Sequence, residues 1–246
     1  MWEWLAAPID PDRVHEVGTQ LSWHARLMVF AWGGCVPIGI LAARFFKIWP
    51  GQSWPRQLDN RTWWHIHRIC QYGGGVLMVI ALVLILTAPP PTLSPQVILP
   101  GPHAWFGWIV LSLALVQISS GVLRGSKGGP DEAGSGEILP GDHYDMTRHR
   151  LIFEYIHKFA GYAAVLLSIA AILTGLYQAN GPNWMWLTLL LWWGLLLSAF
   201  IAFQRRGMAV DTYEAIWGPD KEHPGNQRRP IGVGVRRLGS SDSERV

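Results

Sequence analysis

The sequence predicts an all-α integral membrane protein with five transmembrane helices, four of which form a core while the fifth lies beside it. Half of the 246 residues are apolar and only 15% are charged, well below the roughly 25% charged residues of a typical soluble domain. Fifteen tryptophans point the same way, because tryptophan collects at membrane–water interfaces. The composition argues against both a soluble enzyme and a disordered chain.

Five uncharged apolar stretches approach the roughly twenty residues that cross about 30 Å of hydrocarbon. The first is short, but Trp23 and Phe46 extend it, and the long side chains of Arg26 and Arg44 can reach the interface. Turns rich in proline and glycine separate the stretches and mark their ends. The sequence therefore predicts spans at residues 27–43, 69–88, 103–123, 159–177 and 183–204.

The distribution of Lys and Arg predicts the orientation of the chain. Five spans place the two termini on opposite sides, and one side carries only Arg13 and Arg26 of the twenty basic residues. By the positive-inside rule the basic side is cytoplasmic, so we expect a plasma (inner) membrane protein with its N-terminus outside. The expected domains are a short extracytoplasmic segment at 1–20, a transmembrane domain at 21–206 and a cytoplasmic tail at 207–246.

The two ends of the chain carry further expectations. Residues 1–20 lack the apolar run of a cleavable signal. In the tail we expect a short helix at 211–217 and a mobile polar end at 225–246. With a net charge of only +3, basic residues next to a membrane indicate orientation and lipid contact, so membrane lipid is an expected partner and nucleic acid is not.

Four of the nine histidines lie near the first turn of successive spans. Because successive spans run in opposite directions, His24 and His103 share the outer half of the membrane, whereas His67 and His157 share the inner half. A hydrogen bond between helices would explain any one of these histidines equally well. Four at paired depths indicate a function instead, since a polar ring in lipid is costly.

Paired imidazoles on facing helices favour b-type haem, which needs no covalent attachment. Zinc prefers three or four protein ligands, and Cys35 and Cys70 lie apart within apolar stretches. We therefore predict two haem b groups per chain, with these two histidine pairs as iron ligands. At roughly five residues inside each membrane face, the irons would be on the order of 15 Å apart along the membrane normal. Such a geometry favours transmembrane electron transfer.

Each histidine heads a helical stripe of small or flexible residues, at offsets of +4, +7, +11, +14 and +18. Gly107 and Gly161 lie one turn from His103 and His157, where a flat macrocycle needs room. Close helix packing also explains small residues, so the stripes alone do not require a cofactor. The stripe predicted for the first span is Met28, Ala31, Cys35, Ile38 and Ala42.

Four basic residues surround the inner histidine pair, and pairing with haem propionates is favoured over binding an anionic reductant. They are Arg68, Arg148, Arg150 and Lys158. His65 competes with His67 as a ligand, but the two lie roughly 200° apart around a helix. The His-Arg-x-x-Gln pattern favours His67.

Other polar residues have more general explanations. His143 and His149 fall in the loop at 125–150, which is expected to cap the fourth span rather than to cover the inner haem or approach a donor. Gln71 and Gln117 are expected to make hydrogen bonds between helices rather than to carry protons.

Four short motifs, in order and at consistent depths, resemble the cytochrome b561 family. The closest likeness is to the branch in which five such helices follow an extracellular dopamine-hydroxylase-like domain in larger reductases. The resemblance covers about residues 20–205 and implies b-type haem, the same two ligand pairs, and a four-helix core with an extra span. The motifs are Trp23-His24-Ala25-Arg26-Leu27-Met28, Trp63-Trp64 with His67-Arg68, His103-Ala104-Trp105-Phe106-Gly107, and His157-Lys158 with Gly161-Tyr162.

The chain departs from the family in two respects. The six-helix, ascorbate-using members have one more helix before the first matching span, which residues 1–20 are too short to provide. We also expect no counterpart of the extracellular domain of the five-helix members. We therefore expect a separate periplasmic or extracellular redox protein as partner, and a small reductant or quinol on one side. No motif in the sequence identifies ascorbate as the electron donor. A homodimer is a possible assembly.

Two alternatives remain. The chain could be a quinol-linked anchor subunit of a larger redox complex, with a quinone site near one haem. It could instead be a non-redox membrane protein that uses the histidines for metal ions, which predicts a colourless protein. The spans show no convincing inverted repeat or helix broken at the midplane, although Pro37 and Gly33-Gly34 weaken the first span, so this last interpretation ranks third.

Overall fold

A computed structural model describes residues 1–89, 101–129 and 140–239, and most of them are helical. Within these residues five helices are long and apolar enough to cross a membrane. We call them the first to fifth spans, and the five predicted spans are thereby confirmed. Their bounds are Thr19–Phe45, Thr62–Leu86, Pro102–Val122, Arg148–Gln178 and Asn183–Arg205.

The second and fourth helices begin earlier than the predicted uncharged stretches. The second span begins at Thr62 rather than at 69, and the fourth at Arg148 rather than at 159. Charged residues end an apolar stretch but not a helix, because Arg, Lys and Glu are good helix formers. His67 and His157 consequently lie inside regular helix.

The first span is not a continuous α-helix. It consists of the α-helices Thr19–Val29 and Val36–Phe45 on either side of a π turn, Phe30–Cys35. Pro37 has no N–H to offer the carbonyl of Gly33, one turn earlier. Nε1 of Trp192 in the fifth span donates to that carbonyl instead, at 2.6 Å. A side chain thus replaces the backbone donor that the proline removes.

The π turn also shifts the buried face of the first span. The predicted stripe passed through Cys35 and Ile38, but Ile38 is 41% exposed, and Val36 and Gly39 are buried instead. A π turn holds one residue more than an α turn, so the buried positions directly after it move from Cys35 and Ile38 to Val36 and Gly39. This part of the predicted stripe was wrong. Ala42, the last residue of the predicted stripe, is buried as predicted.

The chain divides into two compact units, and each contains one of the histidine pairs. The first unit comprises Met1–Gly39, Ile69–Leu115 and Ala163–Ala199. The small-residue stripes predicted for the second, third and fourth spans are buried in it, as expected. The buried members are Gly74, Met78, Ala81, Val110, Ala114, Ala164, Ser168 and Ala171.

The N-terminal segment packs within the first unit. It contains a short helix, Trp2–Ala6, and runs beside the turn that joins the fourth and fifth spans. There the buried side-chain amide of Asn180 donates to the carbonyls of Asp10 and Arg13, and its oxygen accepts the N–H of Asp10 at 3.0 Å. These bonds fix the start of the chain against the turn.

The second unit comprises Ile40–Arg68, Val116–Tyr162 and Phe200–Val246. It contains two short helices, Asp142–Asp145 and Thr212–Trp217, and the second confirms the helix predicted at 211–217. Apolar side chains of the tail share a cluster with Ile48 and Trp54 from the loop after the first span. Those tail residues are Val210, Ala215 and Leu238.

The polar end of the tail is packed through Gly239, which differs from the expected mobility. Ile231 and Leu238 are buried, and the carboxylate of Glu214 accepts the N–H of Leu238 at 2.9 Å and that of Gly239 at 3.1 Å. Isolated apolar residues in a polar segment form no periodic pattern, so the sequence did not indicate this packing. Residues 240–246 lie outside the described part of the chain.

Candidate functional site

The first unit brings together the rings of His24, in the first span, and His103, in the third. Their centroids are 6.2 Å apart and their planes stand at 90°. Nδ1 of His24 lies 2.9 Å from the carbonyl oxygen of Ala81, and Nδ1 of His103 lies 2.8 Å from that of Ala171. Because a carbonyl can only accept, each Nδ1 carries the proton and each Nε2 keeps its lone pair.

A glycine in the fourth span leaves space for the ring of His103. A Cβ at Gly175 would lie 2.7 Å from Nδ1 and 2.8 Å from Cε1 of that ring, whereas ordinary contacts lie at about 3.5–4.0 Å. A larger residue at position 175 would therefore push the ring away from the carbonyl of Ala171.

The two glycines predicted to make room for a macrocycle are not required by protein packing. A Cβ at Gly107 would meet no protein atom within 4 Å, and a Cβ at Gly161 would meet only Gln117, at 3.8 Å. Glycine in a helix interior costs about 1 kcal/mol relative to alanine. Both positions are therefore consistent with the prediction that a flat group lies against them.

The second unit brings together His67, in the second span, and His157, in the fourth. Their ring centroids are 6.3 Å apart and their planes stand at 72°. Trp64 stacks on His67 with centroids 6.0 Å apart, and Phe153 lies 5.0 Å from His157. His65 is exposed, so the geometry agrees with the preference for His67.

Both pairs have the spacing that two imidazoles need to bind one metal ion from opposite sides. A ring nitrogen lies roughly 1.2 Å from its centroid and binds a first-row metal at about 2.0 Å, so opposed rings would have centroids about 6.4 Å apart. The observed 6.2 Å and 6.3 Å agree with this value. Nδ1 of His157 is buried with no hydrogen-bond partner in the described chain.

Within the described residues, each histidine pair offers two candidate metal ligands. In the described parts of the chain, no group of three or more His, Cys, Asp or Glu side chains could hold a metal ion. The remaining coordination positions would have to come from another molecule. The four ring nitrogens of a haem supply them, so the residues present fit a bis-histidyl haem better than a zinc ion.

Comparison with known families bears on this arrangement. Residues 23–126 match the family described as eukaryotic cytochrome b561, a range that contains His24, His67 and His103. The matched region is 104 of the 246 residues, so the chain is similar to this family over about two fifths of its length. The five apolar helices and this similarity indicate an integral membrane helical bundle, and the family implies binding of b-type haem and electron transfer through it.

The chain is similar to parts of longer curated proteins. The chain is 29% identical over 163 residues to a cytochrome b561, DM13 and DOMON domain-containing protein of Arabidopsis thaliana, which covers 66% of this chain and 15% of the relative. It is 30% identical over 156 residues to ferric-chelate reductase 1 of Homo sapiens, which covers 63% of this chain and 22% of the relative.

A cytochrome b561 and DOMON domain-containing protein of Arabidopsis thaliana is 26% identical over 159 residues, covering 62% of this chain and 27% of the relative. The chain thus spans less than a third of the length of each of these relatives. No solved structure matches it.

Beside the second histidine pair lies a buried carboxylate that was not predicted from the sequence. Glu154 is 3% exposed and binds Arg150 at 2.8 Å and Lys158 at 3.2 Å. It also accepts the hydroxyl of Tyr213 at 2.5 Å. The i, i+4 spacing of the three charges was the available signal.

Two of the four cations expected to pair with propionates therefore already have a partner within the protein. Arg68 and Arg148 are exposed, and Arg68 lies 5.8 Å from the ring of Trp64. Arg124, which was not among the four predicted cations, lies 4.1 Å from the same ring. The role of the four cations toward propionates stays a prediction.

The loop before the fourth span caps that helix, as predicted. The hydroxyl of Thr147 accepts the N–H of Arg150 at 3.3 Å and donates to Asp142 at 2.8 Å. Nε2 of His149 lies 2.7 Å from the carbonyl oxygen of Leu123.

Two further histidines are buried beside Trp217 in the second unit. His143 packs against Tyr213 at 4.9 Å and lies 6.2 Å from Trp217. Burial, and then the charge of Arg150, lowers the pKa of His143 to about 3. His223 stacks on Trp217 at 5.7 Å, and burial lowers its pKa too. No periodic pattern in the tail pointed to His223.

The two intramembrane glutamines behave differently. Nε2 of Gln71 donates to the carbonyl of Val36 in the first span at 3.2 Å, which confirms the predicted bond between helices. Nε2 of Gln117 is buried without a hydrogen-bond partner in the described residues, so its predicted bond is not observed.

Proposed function

We propose that this chain is a transmembrane electron carrier with two b-type haems, one on His24 and His103 and one on His67 and His157. The observation that carries the proposal is the matched spacing of the pairs, with ring centroids 6.2 Å and 6.3 Å apart. That spacing suits one iron between two imidazoles. Similarity to a cytochrome family supports haem over a bare metal ion.

The surrounding protein groups hold the ligands in orientation. When bound, each haem supplies a one-electron iron couple. The carbonyls of Ala81 and Ala171 fix the tautomers of His24 and His103 and make both imidazoles more basic. In the second unit, Trp64 supports the plane of His67.

We infer that the His24–His103 site faces the extracytoplasmic side and the His67–His157 site the cytoplasm. The support is the distribution of charge, because eighteen of the twenty Lys and Arg residues fall on one side of the five spans. Electrons would then pass between a donor on one side of the plasma membrane and an acceptor on the other.

A ferric chelate is a candidate acceptor, because relatives of this core are named ferric-chelate reductases. The chain spans 22% of the human relative. A redox protein on the outer side is proposed as a further partner. Ascorbate and a quinol are the donors to test. Rapid mixing of the oxidised protein with each donor, followed by ferric citrate, identifies which one reduces the haems and whether the chelate reoxidises them.

Haem content of single-histidine variants tests the ligand assignment. Wild-type protein should show the reduced spectrum of b-type haem and two haems per chain in a pyridine haemochromogen assay. His24→Ala and His103→Ala should remove the same haem, and His67→Ala and His157→Ala the other. His65→Ala is the matched control and should keep both. A colourless wild-type protein, or different haems lost from His24→Ala and His103→Ala, contradicts the proposal.

Cysteine labelling tests the orientation. Val14 is 77% exposed and Val233 is 81% exposed, so single cysteines at these positions form a matched pair in a background where Cys35 and Cys70 are replaced by serine. An impermeant maleimide should label Val14→Cys on intact cells and Val233→Cys only after permeabilisation. The opposite pattern would reverse the proposed orientation.

A further inference from the structure

The carbonyl of Ala171, which accepts a hydrogen bond from His103, has a second side-chain donor nearby. The hydroxyl of Thr174 lies 2.7 Å from the carbonyl oxygen of Ala170 and 3.1 Å from that of Ala171. Its single hydrogen is therefore shared between the two oxygens. Nδ1 of His103 lies 2.8 Å from the same Ala171 oxygen, so the hydroxyl and the imidazole draw on one acceptor.

Sharing weakens the bond that His103 makes. A carbonyl oxygen has two lone pairs, and in an α-helix this oxygen also accepts the backbone N–H four residues later, at Gly175. Electron density drawn toward the hydroxyl of Thr174 is not available to the imidazole N–H. The ring of His103 is consequently less basic than it would be with the carbonyl to itself.

The basicity of an axial imidazole affects the iron it binds. A more basic ligand donates more charge and favours ferric over ferrous iron, which lowers the midpoint potential of the haem. We propose that Thr174 is a positioning residue for electron transfer: through the carbonyl of Ala171 it weakens the hydrogen bond of His103 and thereby raises the potential of the haem on His24 and His103. This inference rests on the proposed ligand role of His103.

The chain contains a matched threonine without this connection. The hydroxyl of Thr188 in the fifth span donates to the carbonyl of Trp184 at 2.7 Å, the same i to i−4 bond that Thr174 makes to Ala170. Replacing Thr188 therefore removes the same kind of helical hydroxyl but leaves the carbonyl that binds His103 unchanged.

Potentiometric titration of the purified two-haem protein tests the inference. Thr174→Val should keep both haems and shift the ferric/ferrous equilibrium of one haem roughly threefold toward ferric, which is about 28 mV at 59 mV per decade for a one-electron couple. The other potential should stay unchanged, and the ferric electron paramagnetic resonance signal of the shifted haem alone should move. Thr174→Ser keeps the hydroxyl and should show the wild-type potential and the wild-type paramagnetic resonance signal. Thr188→Val should also leave both unchanged.

The outcomes separate this inference from the proposed function. Unchanged potentials in Thr174→Val, or an equal shift in Thr188→Val, would overturn the role of Thr174 while leaving both haems in place. If the valine variant loses haem, Thr174→Ala removes the same hydroxyl in a smaller side chain, and an unchanged potential there also overturns it. If His103→Ala retains both haems in the wild-type background, the ligand assignment itself fails.

Discussion

Replacing Gly175 by alanine should remove the haem proposed for His24 and His103 while leaving the other. The added Cβ would lie 2.7 Å from Nδ1 of His103, roughly 0.8 Å inside the normal contact distance. The ring must therefore move, and its bond to the carbonyl of Ala171, now 2.8 Å, is lost or lengthened. Alanine is a better helix former than glycine, so the fourth span itself should remain folded.

The magnitude follows from two terms. The lost hydrogen bond costs about 1 kcal/mol, and the overpacking costs about 1–3 kcal/mol. Their sum of about 2–4 kcal/mol corresponds to a roughly 30- to 1,000-fold weaker haem affinity. Measured metal sites lose 10- to 100-fold when such supporting contacts are removed, so the lower part of this range is expected.

The assay is haem content per chain, with potentiometric titration of what remains. Gly175→Ala should approach one haem per chain and keep the potential of the haem on His67 and His157. Gly194→Ala is the matched control, because a Cβ there would meet no atom within 4 Å. Two haems with unchanged potentials in Gly175→Ala would refute the placement of the His103 ring against Gly175.

Three other substitutions test the supporting structure. Trp192→Phe leaves the carbonyl of Gly33 without its donor and should lower the free energy of unfolding by about 1–3 kcal/mol, seen as a lower thermal midpoint in detergent. Glu154→Gln leaves the buried Arg150 unpaired and should cost about 3–5 kcal/mol in the same assay, so a neutral result would count against the ion pair. The pKa of His143 is lowered from 6.5 to about 3; below pH 6.5 the unfolded state binds the proton and the folded state does not. This group should therefore cost about 2 kcal/mol of stability between pH 6.5 and 5, and His143→Phe should show a smaller loss over that window.

The elements that repeat along the chain could be predicted from the sequence. Apolar length alone located the five spans, and alternation of direction alone paired His24 with His103 and His67 with His157, which are the rings that lie together. The buried stripes of the second, third and fourth spans also followed from 3.6-residue periodicity, because those helices are regular.

The elements that depend on a local break or a distant partner could not be predicted. The phase of the first span changes at the π turn before Pro37, where the carbonyl of Gly33 takes its hydrogen bond from Trp192, a residue 159 positions away in the sequence. From the sequence, Arg150 and Lys158 were expected to pair with haem propionates. In the structure both bind Glu154, which lies on the same helical face. The carbonyls of Ala81 and Ala171 are backbone groups, so their role as hydrogen-bond acceptors for the histidines could not be predicted from residue type.

The two proposed haem sites differ in a way that should order their potentials. In the first unit, carbonyls accept from Nδ1 of both His24 and His103, which makes both ligands more basic and favours ferric iron. In the second unit, Arg150 and Lys158 both bind the carboxylate of Glu154. Arg68 and Arg124 lie over the ring of Trp64, which stacks on His67.

Net positive charge beside the second pair favours the ferrous state, which carries one positive charge less. The haem on His67 and His157 should therefore have the higher midpoint potential, although solvent screens the exposed arginines. Titration of His24→Ala and His67→Ala, each with one haem left, assigns the two potentials. A higher potential for the haem that survives in His67→Ala would show that the cations near the second pair do not outweigh the carbonyl bonds of the first.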